Sequence, residues 1–306
     1  MKKNIRYSIL YTCLGIICLV LLHSIFRNNS EGFTDYELPK IIWGYWDDPQ
    51  LPKLIEQIQT HNKKVLQGWD IRFYNRDTIK DIINPSKYPK DFDNYKPTQQ
   101  SDWFRLYLLK HHGGCWMDAS IIVNSKDAMN NLYNESMAKK SQLTAFSFYS
   151  SDTNTFTTKG GDTFPLYIES WFLIAPKGSK LIHSWYSELN TAFEISFVEY
   201  RKKLLEGGFK FLNIYTDDPN NTYYTVFAAL QKLLQSMERI PPMIIYRSED
   251  TAYKILTDCK GDAHCTMNKI KDNPKEANKH PYIKLHNGNR STNIDISNYF
   301  DTMKYT

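Results

Sequence analysis

Window 101–120, SDWFRLYLLKHHGGCWMDAS, gathers the side chains of this chain best suited to chemistry: two carboxylates, a guanidinium and a glycine pair. Asp102 and Arg105 stand three apart, so on a helix they share a face, either lining a binding crevice or forming a surface ion pair. Gly113 and Gly114 stop that helix, and Asp118 falls at the end of the short extended run 115–117, CWM. In an open α/β sheet, ligands bind beyond the carboxyl ends of the strands, where Asp118 projects. A carboxylate there can hold a divalent cation, and the cation can neutralise a departing diphosphate; taken alone, Asp118 also suits a turn.

The elements that must position these groups are legible around them. Residues 40–46, KIIWGYW, are β-branched and aromatic and are bounded by Pro39 and by Asp47-Asp48-Pro49, which predicts a buried strand. Leu51, Leu54, Ile55, Ile58, Val65 and Leu66 recur at helical spacing up to Gly68, and residues 70–74 then alternate as a second strand. Strand, helix and strand in that order make a βαβ unit, hence an α/β fold with a mostly parallel sheet. Pro97 and Thr98 open the helix that carries Asp102, and Trp103, Phe104, Leu106 and Leu109 form its apolar side. Residues 171–175 read as a further buried strand, turned by Pro176 and Gly178 into a helix with Leu181, Ile182, Trp185 and Leu189.

Ahead of this domain, residues 8–26 form an uncharged apolar run long enough to cross a bilayer core of roughly 30 Å. A retained transmembrane helix is favoured over a cleaved signal peptide, because HSIFRNNS holds no small-x-small cleavage site. Lys2, Lys3 and Arg6 precede the run and Arg27 alone follows it, which leaves the N-terminus cytosolic and the domain lumenal or extracytoplasmic, a single-pass type II arrangement. The chain therefore divides into a tail (1–7), an anchor (8–26), a polar stem (27–38) and one domain (39–306).

Four of the 38 basic residues lie in those first 30 positions, leaving 34 against 33 acidic ones in the rest of the 306-residue chain. A body so nearly neutral is not a nucleic-acid binder. Cys259 and Cys265 are close enough for a disulfide, and with His264 a metal site is the less favoured alternative. Sequons begin at Asn28, Asn134, Asn220 and Asn289.

Taken in order, Pro39-Lys40-Ile41-Ile42 leading to Trp46, Ser101-Asp102 with Arg105, and Gly113-Gly114-Cys115-Trp116-Met117-Asp118 resemble the capsular polysaccharide synthesis proteins and the wider DXD-containing sugar transferases of glycosyltransferase-A fold. Residues 39–124 carry the resemblance, and 169–178, ESWFLIAPKG, is similar to a later segment lining the acceptor side. The resemblance implies a Rossmann-like sheet flanked by helices, a nucleotide-sugar donor, and a glycan or glycoconjugate acceptor. In that frame Trp46 stacks on the donor base, Asp102 and Arg105 grip ribose, sugar or phosphates, and Gly113 and Gly114 let the backbone approach the donor. Asp118 stands for the first Asp of the motif and binds sugar and metal diphosphate, with Mn²⁺ or Mg²⁺ as the implied ion. Ser120 stands where the wider family has the second Asp; the capsular branch resembles this chain in carrying Asp-Ala-Ser or Asp-Ala-Thr. A hydroxyl is the weaker ligand for a hard cation. Glu169 either orients an acceptor hydroxyl or sits at a strand edge, Trp46 either binds or packs, and His286 either closes the site or is structural.

Two other functions share these features: a membrane-anchored glycan-binding pseudoenzyme, and a glycoside hydrolase using Asp and Glu. No nucleophile elbow, P-loop or zinc-protease helix occurs.

Overall fold

The computed structural model describes residues 36–148, 155–165, 167–209 and 218–302. The tail, the anchor and the stem up to residue 35 lie outside the described residues; among those described, no helix is long and apolar enough to cross a membrane. From Leu38 onward the chain forms one unit.

The βαβ unit is present. Strand β1 (Ile41–Tyr45) pairs in parallel with β2 (Asp70–Tyr74), and α1 (Lys53–Val65) connects them, burying Ile55 and Ile58. β1 also pairs in parallel with β3 (Gly114–Met117), which follows α2 (Pro97–His112). The sheet is completed by β8 (Ile168–Ala175), β5 (Leu143–Ser147) and β9 (Met243–Arg247), in the order β2-β1-β3-β8-β5-β9. Strand β8 runs antiparallel to both neighbours, so five strands share one direction and the sixth opposes them. The β2-β1-β3 order means that the chain leaves β1 first to one side and later to the other, so the carboxyl ends of β1 and β3 mark the place where open α/β sheets bind ligands. Trp46 follows the first of those ends and Asp118 the second.

Register explains the core. Trp43, Trp116, Leu173 and Ala145 are paired across adjacent strands, so they line one face, and all four are fully buried. Against that face pack α2, α4 (Lys180–Ile195) and α6 (Thr225–Ser236), which contribute Leu106, Leu109, Trp185, Leu189 and Leu230 to the same cluster. A second cluster joins Ile55 and Ile58 of α1 to Ile122, Ile283 and Tyr299.

That second cluster is organised by a small sheet in which β4 (Ile121–Val123) pairs antiparallel with β10 (Tyr282–Lys284), Lys284 opposite Ile121. Asn62 of α1 clamps β4 from the other side, donating to the Ile121 carbonyl at 2.7 Å and accepting from the Val123 amide at 2.9 Å. The pairing carries the C-terminal segment back to the turn that follows Asp118. Nearby, Cys259 and Cys265 are joined by a disulfide, and among the described residues no cluster of metal-ligating side chains occurs. Of the described sequon asparagines, Asn134 and Asn220 are exposed. Asn289 is fully buried, its side chain accepting from the His286 amide, so a glycan has no access to it in this fold.

Candidate active site

Helix α2 reaches the carboxyl ends of these strands with its N-terminal half. It is buried on almost every side, and Asp102 and Arg105 go into the interior rather than to the surface, with side chains 12% and 6% exposed. A surface ion pair is therefore ruled out; the two meet at 3.1 Å as a buried pair. The guanidinium also lies 3.5 Å from Asp118, donates to the Ser101 hydroxyl at 3.3 Å and to the Ser170 hydroxyl, and sits 5.2 Å from the centre of the Trp116 ring. A planar fork with several donors suits such a junction, where a point-charge ammonium would not reach every partner.

Asp118 is the hub. Its Oδ1 accepts from the Trp116 indole at 3.0 Å and faces Arg105, while its Oδ2 accepts from the Lys284 ammonium at 2.9 Å. Burial pushes the Asp118 carboxyl up, but Lys284, Arg105 and these hydrogen bonds outweigh it and hold the group below the usual carboxylate range. Lys284 Nζ donates at the same time to the Ser120 hydroxyl at 3.0 Å, and Arg290 approaches that hydroxyl at 3.3 Å. Arg290 also donates to the Leu285 carbonyl at 3.1 Å and lies 5.8 Å over the Trp46 ring, so Trp46 and Asp118 border one charged cluster.

Asp102 and Glu169 behave in the opposite way to Asp118. Burial, opposed by Arg105 and reinforced by Asp118, raises Asp102 to about 7. Burial, opposed by Lys284, raises Glu169 to about 8. Glu169 lies within β8 and is 5% exposed, which removes the strand-edge surface alternative. The cluster thus sets Arg105, Lys284 and Arg290 around Asp118 and the paired Asp102, with Glu169 raised by burial. Three cations gathered in so small a space suit an anion.

The oxygens that a divalent cation would use are engaged by donors. Both Asp118 oxygens already accept from donors, two of them cationic, and the Ser120 hydroxyl lies between the Lys284 ammonium and the Arg290 guanidinium. Waters and a donor's phosphates can complete the shell of a hard ion, but its protein anchor is a free carboxylate oxygen, and an ammonium at hydrogen-bonding range competes for it.

Gly113 and Gly114 are placed differently from the expectation. Gly113 caps α2 and Gly114 begins β3, at the end of the strand opposite Asp118, and both are buried. A Cβ on Gly113 would lie 2.4 Å from the Lys177 amide nitrogen, and one on Gly114 2.8 Å from the Ile41 carbonyl oxygen, at φ of +67° and +98°. Close strand and turn packing requires these glycines, not approach to a donor. His286 turns its Nδ1 to the Gly288 amide at 2.9 Å, capping the short helix Asn287–Arg290; it positions Arg290 and takes the structural alternative.

Sequence reasoning missed Lys284, Arg290, Ser170 and Tyr223. Tyr223 is 54% exposed, and partial burial of its phenol, reinforced by Asp102 and Asp118, raises it to about 12. KLHNGNR, 284–290, drew attention only through its histidine; two cations bracketing a cap were the available signal.

The capsular polysaccharide synthesis protein family matches the chain over residues 21–203, more than half its length. A search of curated proteins finds no sequence that matches. Among solved structures, a glycosyltransferase involved in glycosylation of the major capsid of PBCV-1 is similar at a TM-score of 0.41 and 10% identity, covering 86% of this chain and 98% of that one. The glycosyltransferase GlyE of Streptococcus pneumoniae TIGR4 is similar at a TM-score of 0.39 and 12% identity, covering 88% of this chain and 62% of that one. Likenesses this distant support no statement about chemistry.

Proposed function

Because the chain belongs to the capsular polysaccharide synthesis protein family, we propose that it is a nucleotide-sugar-dependent glycosyltransferase, of hexosyl type, acting on a glycan or glycoconjugate. One observation carries the reading: Arg105, Asp102 and Asp118 converge with further cations at the carboxyl end of β3, beside Trp46, where the strand order reverses. A cation-rich, largely desolvated cluster next to an aromatic ring suits a nucleoside diphosphate, the rings taking the base and the cations the phosphates.

Within this reading the bond between the anomeric carbon and the diphosphate oxygen breaks, and its electron pair stays on that oxygen. The acceptor hydroxyl forms the new bond, and its proton passes to the ionised form of Glu169, whose share grows as pH rises toward 8. Asp118 orients the donor and holds the surrounding cations in place before reaction, so little reorganisation remains for the transition state. The apolar run 8–26 anchors the protein with its domain lumenal, in Golgi or endoplasmic reticulum, or extracytoplasmic.

Incubation with a panel of sugar nucleotides, reading release of nucleoside diphosphate, tests the proposal, with Asp118→Ala as control. Release that is strong in the wild type and lost in the variant supports it. Absence of release with every donor, or release that survives Asp118→Ala, overturns it, and glycan cleavage without nucleotide points to a hydrolase instead.

A further inference from the structure

We infer that Lys284 and Arg290 form the diphosphate-binding cation pair of this site, in the place a divalent metal would take, so that sugar transfer by this chain is independent of metal. The inference rests on the transferase reading and names what neutralises its leaving group.

Position is the first argument. Lys284 Nζ stands 2.9 Å from Asp118 and 3.0 Å from Ser120, the two side chains that a bound cation would have to share. A metal entering between them would face an ammonium at hydrogen-bonding range, and both carboxylate oxygens already accept from donors. The lysine is fixed there by its backbone as well as by its charge. Its amide donates to the Ala252 carbonyl at 2.9 Å, its strand pairs with β4 directly after the Asp118 turn, and the Leu285 amide donates to the Ser120 carbonyl at 3.0 Å.

Arg290 supplies the second charge and the reach. It is half-buried, braced by the Leu285 carbonyl and the Ser120 hydroxyl, and spans the interval between Asp118 and Trp46. A diphosphate seated beside Trp46 therefore meets two preplaced cations of total charge +2, the charge of the ion they replace. As the anomeric bond breaks, both donate hydrogen bonds to the departing oxygens, and neither needs to lose its proton. Both residues lie beyond the 21–203 stretch that the family match covers.

The test is calorimetric titration of the full chain with UDP, GDP and inorganic pyrophosphate, first in EDTA and then with millimolar Mn²⁺ or Mg²⁺. Pyrophosphate and at least one nucleotide should bind in EDTA, with Kd changing less than threefold when metal is added. Arg290→Gln should weaken binding tenfold or more. Lys284→Ala should lose binding in EDTA and regain part of it with Mn²⁺, because Asp118 and Ser120 are then free to hold an ion; a merely structural lysine would show no such metal rescue. If Lys284→Ala does not fold, the EDTA comparison and Arg290→Gln decide. Wild-type binding that needs metal, or binding unchanged in both variants, overturns the metal-free inference and leaves the transferase reading standing. No binding of any probe, with or without metal, overturns both.

Discussion

Replacing Glu169 by Gln should stabilise the protein while lowering sugar transfer about 100-fold or more, and the stabilisation should depend on pH in a specific way. Buried in β8, Glu169 is raised from 4.5 to about 8. The folded chain therefore keeps a proton that the unfolded chain releases, and stability present below pH 4.5 is lost progressively as pH rises toward 8. At about 1.4 kcal/mol per unit, the loss accumulated by pH 7 is on the order of 3 kcal/mol. Glutamine is neutral in both states and escapes that loss. Glu169→Gln should thus be more stable by about 3 kcal/mol at pH 7 and indistinguishable at pH 4, a difference of roughly 6–12 °C in Tm for a unit of this size. Thermal unfolding of both proteins by circular dichroism at each unit from pH 4 to pH 8 measures it. A difference that does not change with pH, or a variant less stable at pH 7, would refute the reasoning that burial holds the proton on Glu169. Turnover of the wild type should rise with pH toward 8 as the base ionises, and that limb should be missing from the residual activity of the variant.

Asp118→Asn leaves Lys284 and Arg105 without their shared counter-charge; it should cost about 3–5 kcal/mol in thermal or urea unfolding and lower nucleoside diphosphate release by about 100-fold or more. Gly114→Ala places a Cβ 2.8 Å from the Ile41 carbonyl at a φ of +98°, so a loss of about 2 kcal/mol or more is expected in urea unfolding. The affinity of the folded variant for any donor should stay within about twofold of wild type, because Gly114 lies at the end of β3 opposite Asp118. Trp46→Ala should raise the donor KM about tenfold and leave kcat within about threefold, because it removes a contact made equally in ground and transition states.

The first half of the fold was legible because its chemistry is local. The apolar spacing of 51–66 and the alternation of 70–74 dictate α1 and β2, and the glycine pair fixes where α2 ends, so Asp118 could be placed at a strand end from its neighbours alone. Direction was not legible for β8, since burial on both faces gives the same continuous apolar run whichever way a strand points. Burial of the Asp102–Arg105 pair was hidden for a related reason: a spacing of three is shared by exposed and interior pairs, and only packing from β8 and the C-terminal segment decides between them. The largest omission was Lys284. Nothing in its flanking residues states what it faces; that depends on β10 pairing with β4, a contact between distant parts of the chain.

That distance has a consequence for how the protein is made. Lys284 follows Asp118 by 166 residues, and at about 5–20 residues per second roughly 8–33 s separate their synthesis. Until then Asp118 lacks its ammonium partner, and the β10 strand that pairs with β4 does not yet exist. Because the domain is one unit, the site is complete only once the ribosome has passed its last strand.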